Sequence, residues 1–249
     1  MVFAKFFKPS RRTIPSIKDI QMFDITFEDI FAEKLPNLTL LALSADISDA
    51  PTCDALWNEV QTMASRIASS YEMSMVNKRP GIAATRAAYK ALGKDPNRYR
   101  PSTEAMCRRI VRGDGLYRVS NVVDLVNLLS IASGHSIGAF DSDRIAGHTL
   151  RLGVGRESEP YEAVHRGPLN IAGLPVLRDD IGGIATPTSD NARTAIRPET
   201  TRHLFMVANI YGDEMTADEL AEYASRLLTQ YAAASGIEHR IFRPVPIDF

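Results

Sequence analysis

The sequence predicts an α+β protein of layered sheets and helices whose C-terminal half is rich in β-structure. Helical periodicity dominates residues 51–133, where apolar side chains recur three or four positions apart. After Phe140, glycine and proline recur every few residues, and the apolar runs between them are short. Two further short apolar runs, at 22–27 and 38–43, precede the helical region and suit strands.

Four helices are predicted before the β-rich half. In the first, Leu56, Val60 and Ile67 fall at helical spacing. The third begins beside a proline, where Ser102 or Thr103 is expected to cap it. A glycine follows each of the last three helices and is expected to end it. Their predicted spans are 51–71, 81–92, 101–111 and 121–133.

The C-terminal half is predicted to hold several strands and a closing helix. A short strand is expected to end at Asp141, after the glycine that closes the fourth helix. The closing helix begins near Thr216, which has capping-box spacing to Glu219, and ends at about residue 234. Apolar runs that suit strands lie at 149–152, 169–171, 174–177 and 204–210.

The fourth helix carries a carboxylate and an amide one turn apart, Asp124 and Asn127, among core-forming side chains. Residues three apart share a face of a helix. Buried polar groups are unfavourable unless they form hydrogen bonds. Two roles therefore fit this pair: tying the following loop to the helix, or shaping a pocket.

Length and composition describe an ordinary soluble globular protein. Of 249 residues, 45% are hydrophobic and 24% are charged, which suffices to bury a core. No apolar run approaches the roughly 18 residues that a membrane-spanning helix needs, and the basic N-terminus lacks the features of a signal peptide. Two isolated cysteines, Cys53 and Cys107, fit thiols in a reducing compartment. We therefore expect a cytoplasmic protein that engages no membrane.

Basic residues concentrate in residues 78–118. The net charge of the chain is −1, yet this segment holds eleven basic and three acidic side chains and so carries +8. Such segregation can form a patch for phosphates. The alternative is two solvated helix faces that bind nothing. The residues predicted to contact RNA are Arg86, Lys90, Lys94, Arg108 and Arg112; no DNA partner is predicted.

Three loops are candidates for a common site, at residues 134–141, 178–183 and 186–194. The second ends in Gly182 and Gly183, which permit a close backbone approach but also form ordinary turns. The third is dense in hydroxyl, amide and carboxylate groups and includes Arg193. It can bind a polar ligand, or it can form a turn closed by its own side-chain hydrogen bonds.

The sequence predicts no metal and no cofactor. The five histidines are not paired at metal-ligand spacing. Asp141 and Asp143 are spaced as in some cation loops, but the required glycine and distal glutamate are missing. Gly153 and Gly155 lack the third glycine and the βαβ setting of a dinucleotide fingerprint.

Four ordered stretches resemble one known family. The pattern D-x-x-N, an apolar helix, a glycine and then A-F-D at 139–141 resembles the B3/B4 domain of the phenylalanyl-tRNA synthetase beta subunit. Three other strings are similar to free-standing bacterial proteins built on that domain: YRPSTEA at 99–105, LNIAGLPVLRD at 169–179 and TPTSDNART at 186–194. The resemblance runs over roughly residues 75–210.

This resemblance implies a B3/B4-type domain over residues 71–249, with residues 1–70 as an N-terminal extension packed on it to form one unit. It also implies a tRNA-associated activity, because the synthetase domain hydrolyses tyrosine wrongly attached to phenylalanine tRNA. The expected ligand is an amino acid or aminoacyl ester, and the catalytic residues stay unassigned. The residues expected around the pocket are Arg100, Ser102, Glu104, Asp124, Asn127, Gly138, Phe140, Asp141, Gly182, Gly183, Thr188, Ser189, Asp190 and Arg193.

The sequence departs from the synthetase pattern at two positions. The synthetase has a histidine directly before A-F-D, where this chain has Gly138, and a glutamate after its glycine pair, where this chain has Ile184. Editing of tyrosine therefore does not transfer residue by residue. Three interpretations stay open: an editing hydrolase or aminoacyl-end binder, a small-molecule or amino-acid binder without RNA activity, and a structural module.

Overall fold

A four-stranded and a five-stranded β-sheet form the framework of the computed structural model, which describes residues 22–245. The strands are β1 (Asp24–Phe27), β2 (Thr39–Asp46), β3 (Ser136–Asp141), β4 (Thr149–Val154), β5 (Glu162–Ala163), β6 (Gly167–Pro168), β7 (Pro175–Arg178), β8 (Gly183–Thr186), β9 (Ser189–Asp190), β10 (His203–Ile210) and β11 (Ser235–Phe242). The helices are α1 (Asp29–Lys34), α2 (Asp54–Ser70), α3 (Pro80–Ala91), α4 (Ser102–Arg112), α5 (Asn121–Ser133) and α6 (Ala217–Tyr231). The predicted α+β class is confirmed.

The four-stranded sheet has the order β11-β2-β10-β3 and is antiparallel throughout. Successive side chains of a strand point to opposite faces of the sheet. In β2, Leu41 and Leu43 therefore pack with residues of α2, α5 and α6, whereas Leu40 and Ala42 pack with residues of the five-stranded sheet. The result is three layers, with the four-stranded sheet between the helices and the second sheet.

The five-stranded sheet has the order β1-β4-β7-β8-β9. Its first pair is parallel and the others are antiparallel. Strands β8 and β9 form a tight hairpin at one edge, with Pro187 and Thr188 in the turn. A small ribbon of β5 and β6 lies beside this hairpin, because the Val164 N–H donates to the Asp190 carbonyl at 3.0 Å.

Both sheets combine strands from the two sides of residue 70, where the sequence suggested a boundary. In the four-stranded sheet, β2 lies between β10 and β11 and pairs with both. In the five-stranded sheet, β1 pairs with β4. Strands β1 and β2, which belong to the predicted extension, are therefore integral parts of the two sheets. Residues 1–21 of that extension lie outside the described range.

The helix ends follow from local chemistry. Helix α5 begins after Ser120, whose hydroxyl accepts from the Val123 N–H, and ends at Gly134 with a φ of 77°. The predicted capping box of α6, between Thr216 and Glu219, is present. The predicted cap of α4 is wrong. Pro101 occupies the cap position, and the Thr103 hydroxyl instead donates to the carbonyl of His135 at 2.7 Å.

Several local features differ from the sequence prediction. The short strands β5, β6, β8 and β9 were not predicted. Helix α1 is only six residues long, too short for a periodic pattern to reveal. Strand β11 follows α6 at the sheet edge, where exposed charged residues hide the alternation of a strand. Residues 169–171 form no strand; Ile171 instead packs with Tyr89 and Leu174 in a small apolar cluster.

Residues 22–245 contain no helix both long and apolar enough to cross a membrane. Within the same range, no group of three or more histidine, cysteine or acidic side chains is placed to hold a metal ion. Cys53 is exposed and Cys107 is buried, and both are free thiols.

Candidate ligand-binding site

A cavity of about 600 Å³ lies where the helical layer meets the hairpin edge of the sheets. Its wall is built from helices α4 and α5, strands β3 and β10, the β8–β9 hairpin, and the turn between β5 and β6. This volume is within the range of small-molecule sites in proteins. Asn127 on α5 and residues 186–190 of the polar 186–194 loop therefore face one hollow.

The interior of the cavity is mostly apolar. Hydrophobic side chains line it from the strands and from helix α5, and several of them also belong to the cores between the layers. The apolar residues of the strands and of α5 that contribute include Leu40, Val126, Ile137, Ala139, Leu152, Leu177, Ala185 and Val207. Such a wall suits an aliphatic or aromatic group of a ligand.

Polar groups interrupt this wall at a few places. Ser136 and Asn209 are paired across β3 and β10, and the Asn209 amide donates to the Ser136 carbonyl at 3.4 Å. Ser102 and Asn127 contribute from the two helices. A few fixed polar groups in an apolar wall give a site its orientation and specificity.

Among residues 22–245, Asp190 is the only acidic residue that lines the cavity. Its Oδ2 accepts a long hydrogen bond from the Ala139 N–H at 3.3 Å, and no donor among residues 22–245 bonds its Oδ1. Burial disfavours the charged carboxylate and raises the pKa of Asp190 to about 7, against a small opposing effect of the Ala139 hydrogen bond. The cavity therefore contains one acid that gains or loses its proton near neutral pH.

Gly138 gives this carboxylate its space. A Cβ atom at residue 138 would lie 2.8 Å from Oδ1 of Asp190 and 2.5 Å from Cζ of Phe140. The synthetase pattern has a histidine at this position, and such a side chain does not fit here unless Asp190 and Phe140 move. Asp190 therefore occupies room that the synthetase-like histidine would need.

The hairpin that carries Asp190 is held by its own hydrogen bonds. The Thr186 hydroxyl accepts from the N–H groups of Thr188 and Ser189 at 3.2 and 3.1 Å, and it donates to the Ser189 carbonyl. The Thr188 hydroxyl lies 2.9 Å from the buried Tyr89 hydroxyl, and the Tyr161 hydroxyl donates to the Ser189 carbonyl at 2.8 Å. The segment is thus both a self-bonded turn and part of a cavity wall.

Of the two roles considered for this pair, Asp124 ties a loop to helix α5 and Asn127 contributes to the cavity wall. Asp124 accepts from the Thr52 hydroxyl at 2.5 Å and from the Val119 N–H at 3.1 Å, so it ties helix α5 to the preceding loop. Burial raises the pKa of Asp124, while these hydrogen bonds oppose that rise. Asn127 lines the cavity and Asp124 does not.

The cavity brings together six of the fourteen predicted pocket residues. These are Ser102, Asn127, Gly138, Thr188, Ser189 and Asp190. The other eight, which do not line it, are Arg100, Glu104, Asp124, Phe140, Asp141, Gly182, Gly183 and Arg193.

Several of these eight have structural partners instead. Asp141 accepts from the Thr201 hydroxyl at 3.2 Å, and Phe140 packs in the core between the sheets. Arg193 forms a bidentate ion pair with Asp179 at 2.7 and 2.9 Å. That pair and the Gly182 N–H, which also donates to Asp179, lower the pKa of Asp179 despite its burial.

The residues predicted to bind RNA are not on one surface. Arg86 is buried and pairs at 2.8 Å with the fully buried Glu104, which also pairs with Arg108. Lys94 is buried and donates to the carbonyls of Asn170 and Ala172.

The two remaining candidates are exposed. Lys90 lies at the end of α3, and Arg112 forms an ion pair with Asp114 near the end of α4. Two of the five predicted RNA-binding residues, Arg86 and Lys94, are therefore committed to contacts inside the protein.

The cavity mouth carries basic and aromatic residues that the sequence did not single out. Arg109 lies over the Tyr117 ring at 4.5 Å, and the Tyr117 side chain is 72% exposed. His165 and Arg166, both exposed, contribute from the turn between β5 and β6. No motif marks any of the four in the sequence; only the fold places them together.

Comparison with known proteins assigns the fold family. The model of the B3/4 domain family matches residues 84–233, more than half of the chain. This chain belongs to the B3/4 domain family. All of the cavity-lining residues except Leu40 lie within the matched range.

A curated protein and a solved structure to which this B3/4 protein is similar are both beta subunits of phenylalanine–tRNA ligases. The phenylalanine–tRNA ligase beta subunit of Anaeromyxobacter dehalogenans (strain 2CP-C) is 39% identical over 59 residues, which make up 24% of this chain and 7% of that subunit. The crystal structure of an N-terminal fragment of the phenylalanyl-tRNA synthetase beta subunit from Pyrococcus horikoshii aligns with 87% of this chain and 50% of its own, at 11% identity and a TM-score of 0.43. The matched regions thus span half or less of either relative.

Proposed function

We propose that the cavity binds the aminoacyl end of a tRNA and that the protein hydrolyses the aminoacyl ester. The observation that carries this proposal is the cavity itself, an apolar hollow of about 600 Å³ with one acid and a few amides and hydroxyls in its wall. An amino acid needs only part of such a volume, so an attached nucleoside can enter the rest of the hollow and its mouth. Membership of the B3/4 family and the tRNA ligase relative support tRNA as the partner.

The mouth suits a nucleic-acid end. Arg109 and Arg166 can contact phosphates, and the exposed Tyr117 ring offers a face on which a base can stack. Tyr117 and Arg166 are exposed members of the cavity lining and Arg109 is half-buried beside Tyr117, while the lining also contains the acid Asp190. A negatively charged tail at the mouth and a positively charged amino acid inside would match this distribution of charge.

Hydrolysis requires an attacking water and stabilisation of the oxyanion that develops on the ester carbonyl. Helix α4 begins at Ser102 in the cavity wall, and no side chain caps its first turn. The partial positive charge of a helix N-terminus can stabilise such an oxyanion. Water adds to the carbonyl carbon, the bond to the ribose oxygen breaks, and that oxygen leaves with a proton.

Release of amino acids from a panel of misacylated tRNAs tests this function directly. We expect wild-type protein to release at least one amino acid faster than buffer, and Asn127→Ala to slow that release. A matched control is Arg226→Gln on α6, a helix with no residue in the cavity wall, which should leave the rate unchanged. If every tRNA released its amino acid only at the spontaneous rate, the proposed hydrolase activity would be wrong.

One observation favours the second interpretation, an amino-acid binder without RNA activity. Two of the basic residues in the +8 segment, Arg86 and Lys94, are buried and already hydrogen-bonded within the protein. Thermal shift separates the interpretations, because a ligand that binds only the folded state raises the melting temperature. A shift with free amino acids but none with tRNA or aminoacyl-nucleosides would favour the binder.

A further inference from the structure

Asp190 lacks an electrostatic partner within the described protein. No lysine, arginine or histidine among residues 22–245 forms an ion pair with it, and only the Ala139 N–H at 3.3 Å bonds its carboxylate. The atoms around it include the Gly138 backbone and the Phe140 ring. A carboxylate in such surroundings is unfavourable until a positive charge or a strong donor reaches it.

The basic residues of the cavity wall do not fill this role. Arg109 is engaged with the Tyr117 ring and donates to the Gly115 carbonyl at 3.2 Å. His165 and Arg166 are exposed to solvent at the mouth. A positive charge that pairs with the ionised Asp190 would therefore come with the ligand.

We propose that Asp190 binds the ammonium group of the ligand, so that the site selects α-amino acid derivatives with an apolar side chain over analogues that lack the amine. This inference rests on the proposed function and adds to it the chemical class of the substrate. An ammonium against Oδ1 of Asp190 gives a charge-assisted hydrogen bond in a poorly hydrated site, where such bonds are strongest. The apolar side chain then lies against the wall that Val126, Ile137 and Val207 form.

Asp190 should also discriminate between classes of ammonium group. The Gly138 backbone and the Phe140 ring lie beside the carboxylate, where a Cβ atom at residue 138 would meet both Phe140 and Asp190. A primary ammonium donates hydrogen bonds to Oδ1, whereas a quaternary ammonium has no N–H to donate. The site should therefore bind N-trimethylated amino acids more weakly.

The test uses the full chain and pairs of ligands that differ only in the amine. The probes are the amides of phenylalanine, leucine and valine, which resist hydrolysis, and the corresponding desamino amides. Calorimetric titration at pH 7.5 compares wild type, Asp190→Asn, and the control Glu162→Gln, which removes an exposed acid outside the cavity wall. Melting curves verify that each variant is folded.

We expect wild type and Glu162→Gln to bind at least one amine-bearing amide at least about tenfold more tightly than its desamino partner. Asp190→Asn should bind both members of that pair with similar affinity. Equal binding of both members by wild type would overturn this inference and leave the ligand-binding function standing. Preference retained in Asp190→Asn, with only ester hydrolysis lost, would overturn it in favour of a role in proton transfer. Failure of every amide and every aminoacyl ester to bind wild type would remove the proposed function together with the inference.

Discussion

Gly138 and Asp190 share one space: a Cβ atom on residue 138 would lie 2.8 Å from Oδ1 of Asp190. The glycine is therefore required by the side chains beside it, Phe140 on the same strand and Asp190 on the hairpin, and not by its own backbone conformation. Strand β3 leaves the space, and the β8–β9 hairpin fills it with the one acid that lines the cavity among residues 22–245. This relationship connects the sequence motif G-A-F-D to the chemistry of the site.

Gly138→Ala should weaken both the fold and the site. The new methyl group would lie 2.5 Å from Cζ of Phe140 as well as against Asp190, so the ring or the carboxylate has to move. We expect a loss of about 1–3 kcal/mol in the free energy of unfolding, as for other overpacked positions, and weaker binding of amine-bearing ligands. Urea unfolding and calorimetric titration measure the two effects.

Gly182→Ala is the matched control for this substitution. No heavy atom lies within 4 Å of a Cβ at residue 182, so the alanine should be accepted without loss. If Gly138→Ala is as stable as wild type, then the space beside Asp190 can accept a methyl group without strain.

Stability should depend on pH through Asp190. Burial raises the pKa of Asp190 to about 7 in the folded protein, above its ordinary value of 3.8. Between these values the folded chain keeps a proton that the unfolded chain has lost, so this group's contribution to stability falls as pH rises from about 4 to 7. Asp190→Asn should therefore gain stability relative to wild type over that window, by at most roughly 4 kcal/mol and by less where cavity water screens the charge.

Denaturant unfolding of both proteins at pH 4.5 and pH 8 measures this difference. Other titratable or charged groups lie near the hairpin, namely Tyr161 beside it and His165, Arg166 and Arg109 around the cavity. They are present in both proteins, so their titration cancels in the comparison. A stability difference that does not change with pH would show that Asp190 is charged throughout.

Substitution of Asp124 and of Asn127 should separate structure from binding. Asp124→Ala leaves the Thr52 hydroxyl and the Val119 N–H without their buried acceptor, so we expect a loss of about 2–4 kcal/mol in stability. Asn127→Ala removes a half-buried side chain from the cavity wall and should change stability by less than about 1 kcal/mol. Its effect should appear as weaker ligand binding. A large loss of stability with Asn127→Ala, together with weaker ligand binding by Asp124→Ala, would show that Asp124 and not Asn127 contributes to binding.

Glu104→Gln should destabilise the protein strongly. Glu104 is fully buried and accepts from Arg86 and Arg108 at 2.8 Å each, so its neutralisation leaves two arginines without a counter-charge. Breaking buried ion pairs costs about 3–5 kcal/mol. Thermal and urea unfolding measure the loss. A variant as stable as wild type would show that the arginines find other partners.

Contacts at the cavity mouth should control the salt dependence of tRNA binding. Arg166→Gln should weaken tRNA binding and reduce the slope of log affinity against log salt by about 0.7, the value for one phosphate contact to a single strand. Arg226→Gln serves as the control on a remote helix face. Filter binding over a range of salt concentrations gives both slopes, and identical values for the two variants would place the tRNA elsewhere.

Sequence reasoning located the five long helices, α2 to α6, and six of the eleven described strands, because their apolar periodicity and their end signals agree. Helix α5 has the predicted bounds, since Ser120, the apolar run and Gly134 all indicate the same segment. Strand β11 was missed because exposed charged residues at a sheet edge carry no apolar alternation. The parallel pairing of β1 with β4 depends on contacts between segments more than 100 residues apart, which no local pattern encodes.

The site was only partly predictable for a similar reason. Asn127 was selected as a polar residue among core-forming side chains, and Asp190 as part of a loop dense in polar groups; both line the cavity. The same two criteria selected Asp124 and Arg193, whose partners Thr52 and Asp179 lie far away in the sequence or in another loop. A buried charged residue can either form a structural ion pair or contribute to a binding site. Which of the two it does depends on tertiary contacts that the sequence does not reveal.

The most direct test of this account is a crystal structure of the protein with a non-hydrolysable aminoacyl-adenosine, in which an amide replaces the ester. We predict that the aminoacyl group lies in the cavity between helix α5 and the β8–β9 hairpin, with its ammonium within hydrogen-bonding distance of Asp190 and its adenosine at the mouth. A ligand bound outside this cavity, or one whose ammonium points away from Asp190, would contradict it.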